Sequence, residues 1–177
     1  MTTFDENVPA TVEFSVPGLV AADADELVGL LKDRLTALVD LALTLKHVHW
    51  NVVGPHFIGA HHMVDDHVGT VRRMVDETAE RIAALGGVPR GTPGAVVTQR
   101  NWDDYSVDRA DAVAHMTALD AVYVGVIESY RAAVSASADR DPMTQDMLID
   151  HCRALEQLHW MVRAHLEGEN GEIGRTP

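Results

Sequence analysis

Residues 23–53 read DADELVGLLKDRLTALVDLALTLKHVHWNVV. Leu27, Leu31, Leu38, Leu41, Leu45 and Val48 recur at the three- and four-residue steps of a single helical face. Asp23, with Glu26 three residues later, has the spacing of a capping box. The stretch predicts an amphipathic helix over about 23–53, stopped by Gly54-Pro55.

The same reading extends down the chain, where strand signals are almost absent. A second helix is expected over about 58–85, ending at Gly86-Gly87, because glycine tolerates the left-handed residue that closes a helix. A long connection follows, GVPRGTPGAVVTQRNWDDYSVDR, in which Thr92-Pro93 has the pattern of an N-cap and first residue of a short helix. A third helix is expected over about 107–137. Asp141-Pro142 would cap and open a fourth, running to about 167 and closed by Gly168. Four helices of this length make an all-α four-helix bundle roughly 40 Å long. The expected organisation is one domain over 21–168, with a flexible tail at 1–20 and a second tail at 169–177. LKHVHW in the first helix and LEQLHW in the fourth are a faint internal echo that decides nothing.

Composition limits the functional classes. The 177 residues carry 27 acidic and 14 basic side chains, a formal net charge of −13. Such a surface repels nucleic acid and anionic lipid and attracts cations. Residues 1–20 hold Asp5, Glu6 and Glu13 and no Lys or Arg. Residues 167–177 hold three glutamates against Arg175. Neither end is the basic arm that a phosphate-backbone binder needs, so DNA binding through the tails is not expected. The start has no secretory pattern, no stretch approaches the ~20 apolar residues of a membrane span, and Cys152 is the only cysteine. A cytoplasmic location is the default expectation.

Six of the ten histidines fall between residues 47 and 67, with Asp65 and Asp66 among them. At ~100° per residue from His61, Asp65 lies near 40°, Asp76 near 60° and Glu80 near 100°. Val64, Val68, Val71, Val75 and Ile82 cluster between about 280° and 340°. The second helix thus has a core stripe and a separate stripe of metal-ligand types, the latter on the flank of the bundle. Asp65 and Asp76 stand about 16 Å apart along the axis, too far to share one ion within a chain. Positions 61 and 80, like 65 and 76, are symmetric about a point between 70 and 71. Two antiparallel copies about a two-fold axis there would set His61 against Glu80 and Asp65 against Asp76, giving two identical shared sites. The same symmetry sets Gly69 opposite Arg72. A short loop brings the end of the first helix beside the start of the second, so His49 is the expected further imidazole. His47, about 200° away around its helix, cannot point at the same ion.

The motif His-Trp, Gly-Pro-x-Phe, His-x3-Asp and Asp-x3-Glu-Arg, here HWNVVGPHFIGAHHMVDD followed by DETAER, resembles the signature of Dps proteins. These are the DNA-protection-during-starvation branch of the ferritin-like superfamily, and the resemblance extends over about residues 20–168. It implies a ferritin-like four-helix bundle and a hollow shell of twelve subunits. It implies a ferroxidase centre at the two-fold interface, with His49, His61 and Asp65 from one chain, Asp76 and Glu80 from the next, and Trp50 beside it. The implied activity is oxidation of Fe(II) by hydrogen peroxide or oxygen, with ferric oxide stored in the cavity. Asp146 matches a position that lines an iron-entry pore in relatives, with Asp141 and Asp150 as nearby candidates. His62 departs from the acidic residue common there. His62 and His56 read as surface residues or accessory ligands, and Asp66 as second-layer or cavity lining.

Other readings are poorer. Glu156-x-x-His159 is half of what a bundle-centre di-iron site needs, and the second helix supplies Glu77-x-x-Glu80 without a histidine. His115, His151 and His165 read as surface or satisfied structural residues, and Met63, Met74 and Met161 as core fill. A DNA-compacting protein is the alternative function. A metal-dependent hydrolase at the same ligands is a further one, without an HExxH sequence to support it.

Overall fold

A computed structural model describes residues 15–167; the expected closing Gly168 and most of both expected tails lie outside these. The elements are α1 (Ala21–Asn51), β1 (Val52–Val53), α2 (Phe57–Ala84), α3 (Pro93–Gln99), β2 (Ala110–Asp111), α4 (Ala112–Ser137) and α5 (Pro142–Ala164). The four long helices form the bundle and α3 is the short helix of the connection. Its N-cap is Thr92 and its first residue Pro93, as the sequence predicts. Val16 and Leu19, at the end of the expected N-terminal tail, pack against the core.

The chain direction follows from a feature with no sequence signal. β1 pairs with β2 in parallel, Val52 with Ala110 and Val53 with Asp111. This ladder fixes the start of α4 beside the end of α1. Helices α2 and α4 therefore leave from the same end, and the connection between them travels the length of the bundle. It is pinned to α1 on the way. Gln99 Oε1 accepts from Thr36 Oγ1 at 2.9 Å, Trp102 Nε1 donates to Asp40 at 2.9 Å, and Arg100 pairs with Asp40 at 3.1 Å.

All six apolar residues of the first stripe are buried, as are Val64, Val68, Val71 and Ile82 of the second helix. Tyr123 and Tyr130 on α4 complete the core against Leu148, Leu155 and Val162 on α5. Each buried leucine stabilises the bundle by roughly 1.5–3 kcal/mol relative to exposure. Met74 is buried and Met63 packs partly against the core.

Two helix starts differ from expectation. The capping box of α1 does not form. Its N-cap is Val20, with no side-chain cap, and Glu26 pairs with Arg140 near the start of α5 instead. Helix α4 begins at Ala112, not near 107, because Asp111 is its cap and accepts from the Ala114 amide at 2.9 Å. The end of α2 is as expected. Gly86 has φ +86°, its amide donates to Ala83 and that of Gly87 to Ile82, the paired bonds of a Schellman cap. Gly87 is needed for space, since a Cβ there would lie 2.6 Å from Val28 Cγ1.

Buried imidazoles sit inside the bundle. His67 bonds the Tyr123 hydroxyl at 2.9 Å, and burial pushes its pKa down to about 4 against the opposing charge of Asp66. His115 is fully buried with Tyr105 at 2.9 Å, and burial lowers it as well. His151 is buried too, bonded to Glu77 Oε2 at 2.7 Å. His165 is exposed.

Gly87→Ala is expected to cost about 1–3 kcal/mol by overpacking Val28, lowering the thermal midpoint, whereas Gly91→Ala, with open space around it, leaves it near wild type. Acid should also weaken the fold. With the folded pKa values of His67 and His115 depressed, the unfolded chain takes up protons first. Stability is therefore full above about pH 6.5 and declines below it. Denaturant titrations from pH 7.5 to 5 should show this slope, and His115→Gln should make it shallower without abolishing it.

Candidate metal centre

The centre is built where α1 turns into α2. Gly54, at φ +92°, lets the chain reverse in a few residues, and the Phe57 amide closes the turn on the Gly54 carbonyl at 3.1 Å. This sets His49 and His61 side by side. Their rings stack with centroids 3.7 Å apart and 23° between planes. His49 Nδ1–H donates to the His61 carbonyl at 3.0 Å, and His61 Nδ1–H donates to the His49 carbonyl at 2.9 Å. A carbonyl only accepts, so both Nδ1 atoms carry a proton, and in the neutral ring that leaves the lone pair on Nε2. Among the described residues neither Nε2 has a hydrogen-bond partner, and neither is a buried unpartnered atom. Two imidazoles are thus fixed in the tautomer that a metal requires.

Asp65 lies one turn beyond His61, half exposed, with Oδ1 3.8 Å from His49 Nδ1. Lys46 Nζ donates to the same oxygen at 2.7 Å, and that hydrogen bond is the first cause of a pKa below the usual carboxylate range. The ammonium also sits 5.9 Å from the Trp50 ring, and Trp50 is 72% exposed. Lys46 was not singled out from the sequence. Its spacing of three to His49 and four to Trp50 puts it on their face and was the available signal.

Asp76 and Glu80 are exposed farther along α2, and Asp66 and His62 are exposed near its start. Gly69 is exposed, and a Cβ there would meet nothing within 4 Å. Among the described residues no three ligand groups close on a single point. His49 and His61 stack, and Asp65 lies near His49 without converging on a common point with them; Asp76 and Glu80 lie farther along the same helix. His47 faces elsewhere, bonding the Val107 carbonyl at 2.9 Å.

The proposed pore acids divide. Asp146 and Asp150 are exposed on the first turns of α5, with Asp150 paired to Arg153 at 2.7 Å. Asp141 does not fit an open pore. It is buried as the cap of α5, accepting from the Met143 and Thr144 amides and pairing with Arg81. Burial raises its pKa, but the Thr144 and Arg81 bonds outweigh that and hold it below the ordinary value. His56 is exposed at the start of α2. Glu156 pairs with Arg131, and His159 with Asp120 at 2.7 Å, so the Glu-x-x-His pair is engaged elsewhere.

A family model described as ferritin-like domain matches residues 28–170. The chain is 52% identical over 160 residues to the DNA protection during starvation protein of Mycolicibacterium smegmatis, covering 90% of this chain and 87% of that one. The solved structure of DpsA14 from Streptomyces coelicolor superposes with a TM-score of 0.90 at 58% identity, covering 93% and 98% of the two chains. An archaeal Dps homologue from Halobacterium salinarum reaches 0.85 at 27% identity, covering 96% of each. The chain belongs to the ferritin-like proteins, in their DNA-protection-during-starvation (Dps) branch.

Proposed function

We propose that this protein captures Fe(II), oxidises it to Fe(III) and stores ferric oxide inside a closed shell, most simply of twelve subunits. Each centre is shared. His49, His61 and Asp65 come from one subunit and Asp76 and Glu80 from another, with α2 antiparallel to its copy. The observation that carries this reading is the His49–His61 clasp, which engages both Nδ1 atoms and leaves the Nε2 atoms for a ligand, with Asp65 Oδ1 3.8 Å from His49 Nδ1. Imidazole and carboxylate together accept iron in both oxidation states, and carboxylate favours the harder Fe(III) product. Hydrogen peroxide takes two electrons, one from each of two Fe(II), and leaves as water. Removing both reactants denies hydroxyl radical its source. Asp146 and Asp150 are the proposed pore acids.

Protection of DNA is the role that relatives are named for. Here the net charge of −13 favours protection by chemistry over direct binding. No described helix is long and apolar enough to cross a membrane.

Asp76→Asn is expected to slow Fe(II) oxidation at least tenfold, followed by ferric absorbance. His61→Ala should do the same. Co-assembled His61→Ala and Asp76→Asn subunits should recover activity, because a mixed pair holds one intact centre. If each chain carried a complete site, mixing would recover nothing. A gel-shift titration at low salt should show no retarded duplex DNA; tight binding there would favour the compacting role.

A further inference from the structure

A second feature lies on another face of the bundle and does not rest on the iron reading. Between α1 and α4, and lined also by residues 101–106 of the connection, is an open cleft of about 680 Å³. That is within the ~300–1,000 Å³ range of small-molecule sites. The space exists because facing positions are small: Ala37 on α1, and Ala118, Ala121 and Gly125 on α4. A Cβ on Gly125 would meet nothing within 4 Å. No close approach and no positive φ requires glycine there, although a mid-helix glycine costs about 0.5–1 kcal/mol against alanine.

The polar groups of the cleft are unevenly matched. Four arginines among the described residues are half-buried: Arg34, Arg81, Arg100 and Arg140. Arg81, Arg100 and Arg140 each pair with a carboxylate. Arg34, which lines the cleft, pairs with no carboxylate among the described residues. One of its nitrogens donates to the Ser129 carbonyl, its guanidinium stands 5.9 Å from the Tyr130 ring, and its buried Nε–H has no acceptor. Burial lowers its pKa, partly offset by Tyr130 and the neighbouring Asp33. At the other end three acids line the wall: Asp40 is held by Arg100 and Trp102, Asp104 is also paired with Arg100, and Asp103 is exposed. There the Trp102 and Tyr105 side chains also line the wall. Arg34 and Asp40 are six residues apart on α1, about 9 Å.

We propose that this cleft binds a small organic anion, its acid group at Arg34 and its apolar body lying over the small residues towards Trp102. The guanidinium supplies charge complementarity and fork-shaped donors for an acid group. The alanines and Gly125 supply an apolar floor about as long as a medium-length chain or a pair of fused rings. An inorganic anion lacks the body and an alcohol lacks the charge, so both should bind poorly.

The test uses the assembled protein and anilinonaphthalene sulfonate, an anion with a fused-ring body. Saturable binding of one probe per subunit is expected, with energy transfer from tryptophan that falls in Trp102→Phe. Octanoate should displace the probe, while acetate and octanol should not. Gly125→Leu, which fills the cleft, should abolish binding without lowering the unfolding midpoint. Arg34→Gln should weaken binding at least tenfold. Absence of saturable binding, equal binding by Gly125→Leu, or displacement by octanol as readily as by octanoate would each overturn the proposal. Should Arg34→Gln fail to fold, the Gly125→Leu result decides alone.

Discussion

The clasp between His49 and His61 is the constraint on which the rest of the centre depends. Each imidazole spends one nitrogen on the other residue's backbone carbonyl, so neither ring can turn without breaking a bond on the opposite helix. The same two bonds hold the last turn of α1 to the first turns of α2. One arrangement therefore does two things: it closes the hairpin and fixes the tautomers. Both rings are already held, so an ion bound there as proposed would leave little rotamer entropy to lose.

The bundle makes this possible by keeping its two tasks on separate faces of α2. Val64, Val68, Val71 and Ile82 go inward and take the packing load, while His61, Asp65, Asp76 and Glu80 lie on the flank. A helix that placed its carboxylates in the core would have to desolvate them, at a cost of several kcal/mol each. On the flank they stay in water until something covers them. In the core, burial disfavours the charged form of His67 and His115.

What the sequence reveals and conceals follows the same division. Helix periodicity is a local property, so the long helices, the Schellman stop at Gly86 and the Thr92-Pro93 start were legible. The β1–β2 ladder was not, because two residues in each strand carry no periodicity, and pairing between residues 52 and 110 is set by the docking of the connection. The capping box failed for a related reason: Glu26 found a distant partner, Arg140, that no local rule anticipates. The angular argument placed His61, Asp65, Asp76 and Glu80 on one face and left His47 off the site. It passed over Lys46, because a cation beside a cation site runs against the charge pattern being sought. Asp141 carried two readings, cap and pore acid, and its burial against Arg81 selects the cap.

Lys46 bears on how a shared centre would fill. In the single chain its ammonium already neutralises Asp65, and both side chains are partly open to water. An exposed pair of this kind is worth roughly 0–1 kcal/mol, so a divalent ion with three or more ligands displaces it readily. Two-fold pairing of α2 would bring Asp65, Asp76 and Glu80 of both subunits to one seam. Like charges gathered in a partly dry interface repel, and Lys46 relieves only one carboxylate in each half. On the shared-site reading, the seam therefore holds an acidic excess that a cation relieves. On the same reading an Fe(II) ion would neutralise charge from two chains at once and gain affinity from both. Loss of an electron would deepen that attraction, so open coordination positions at the proposed site would favour release of the ferric product.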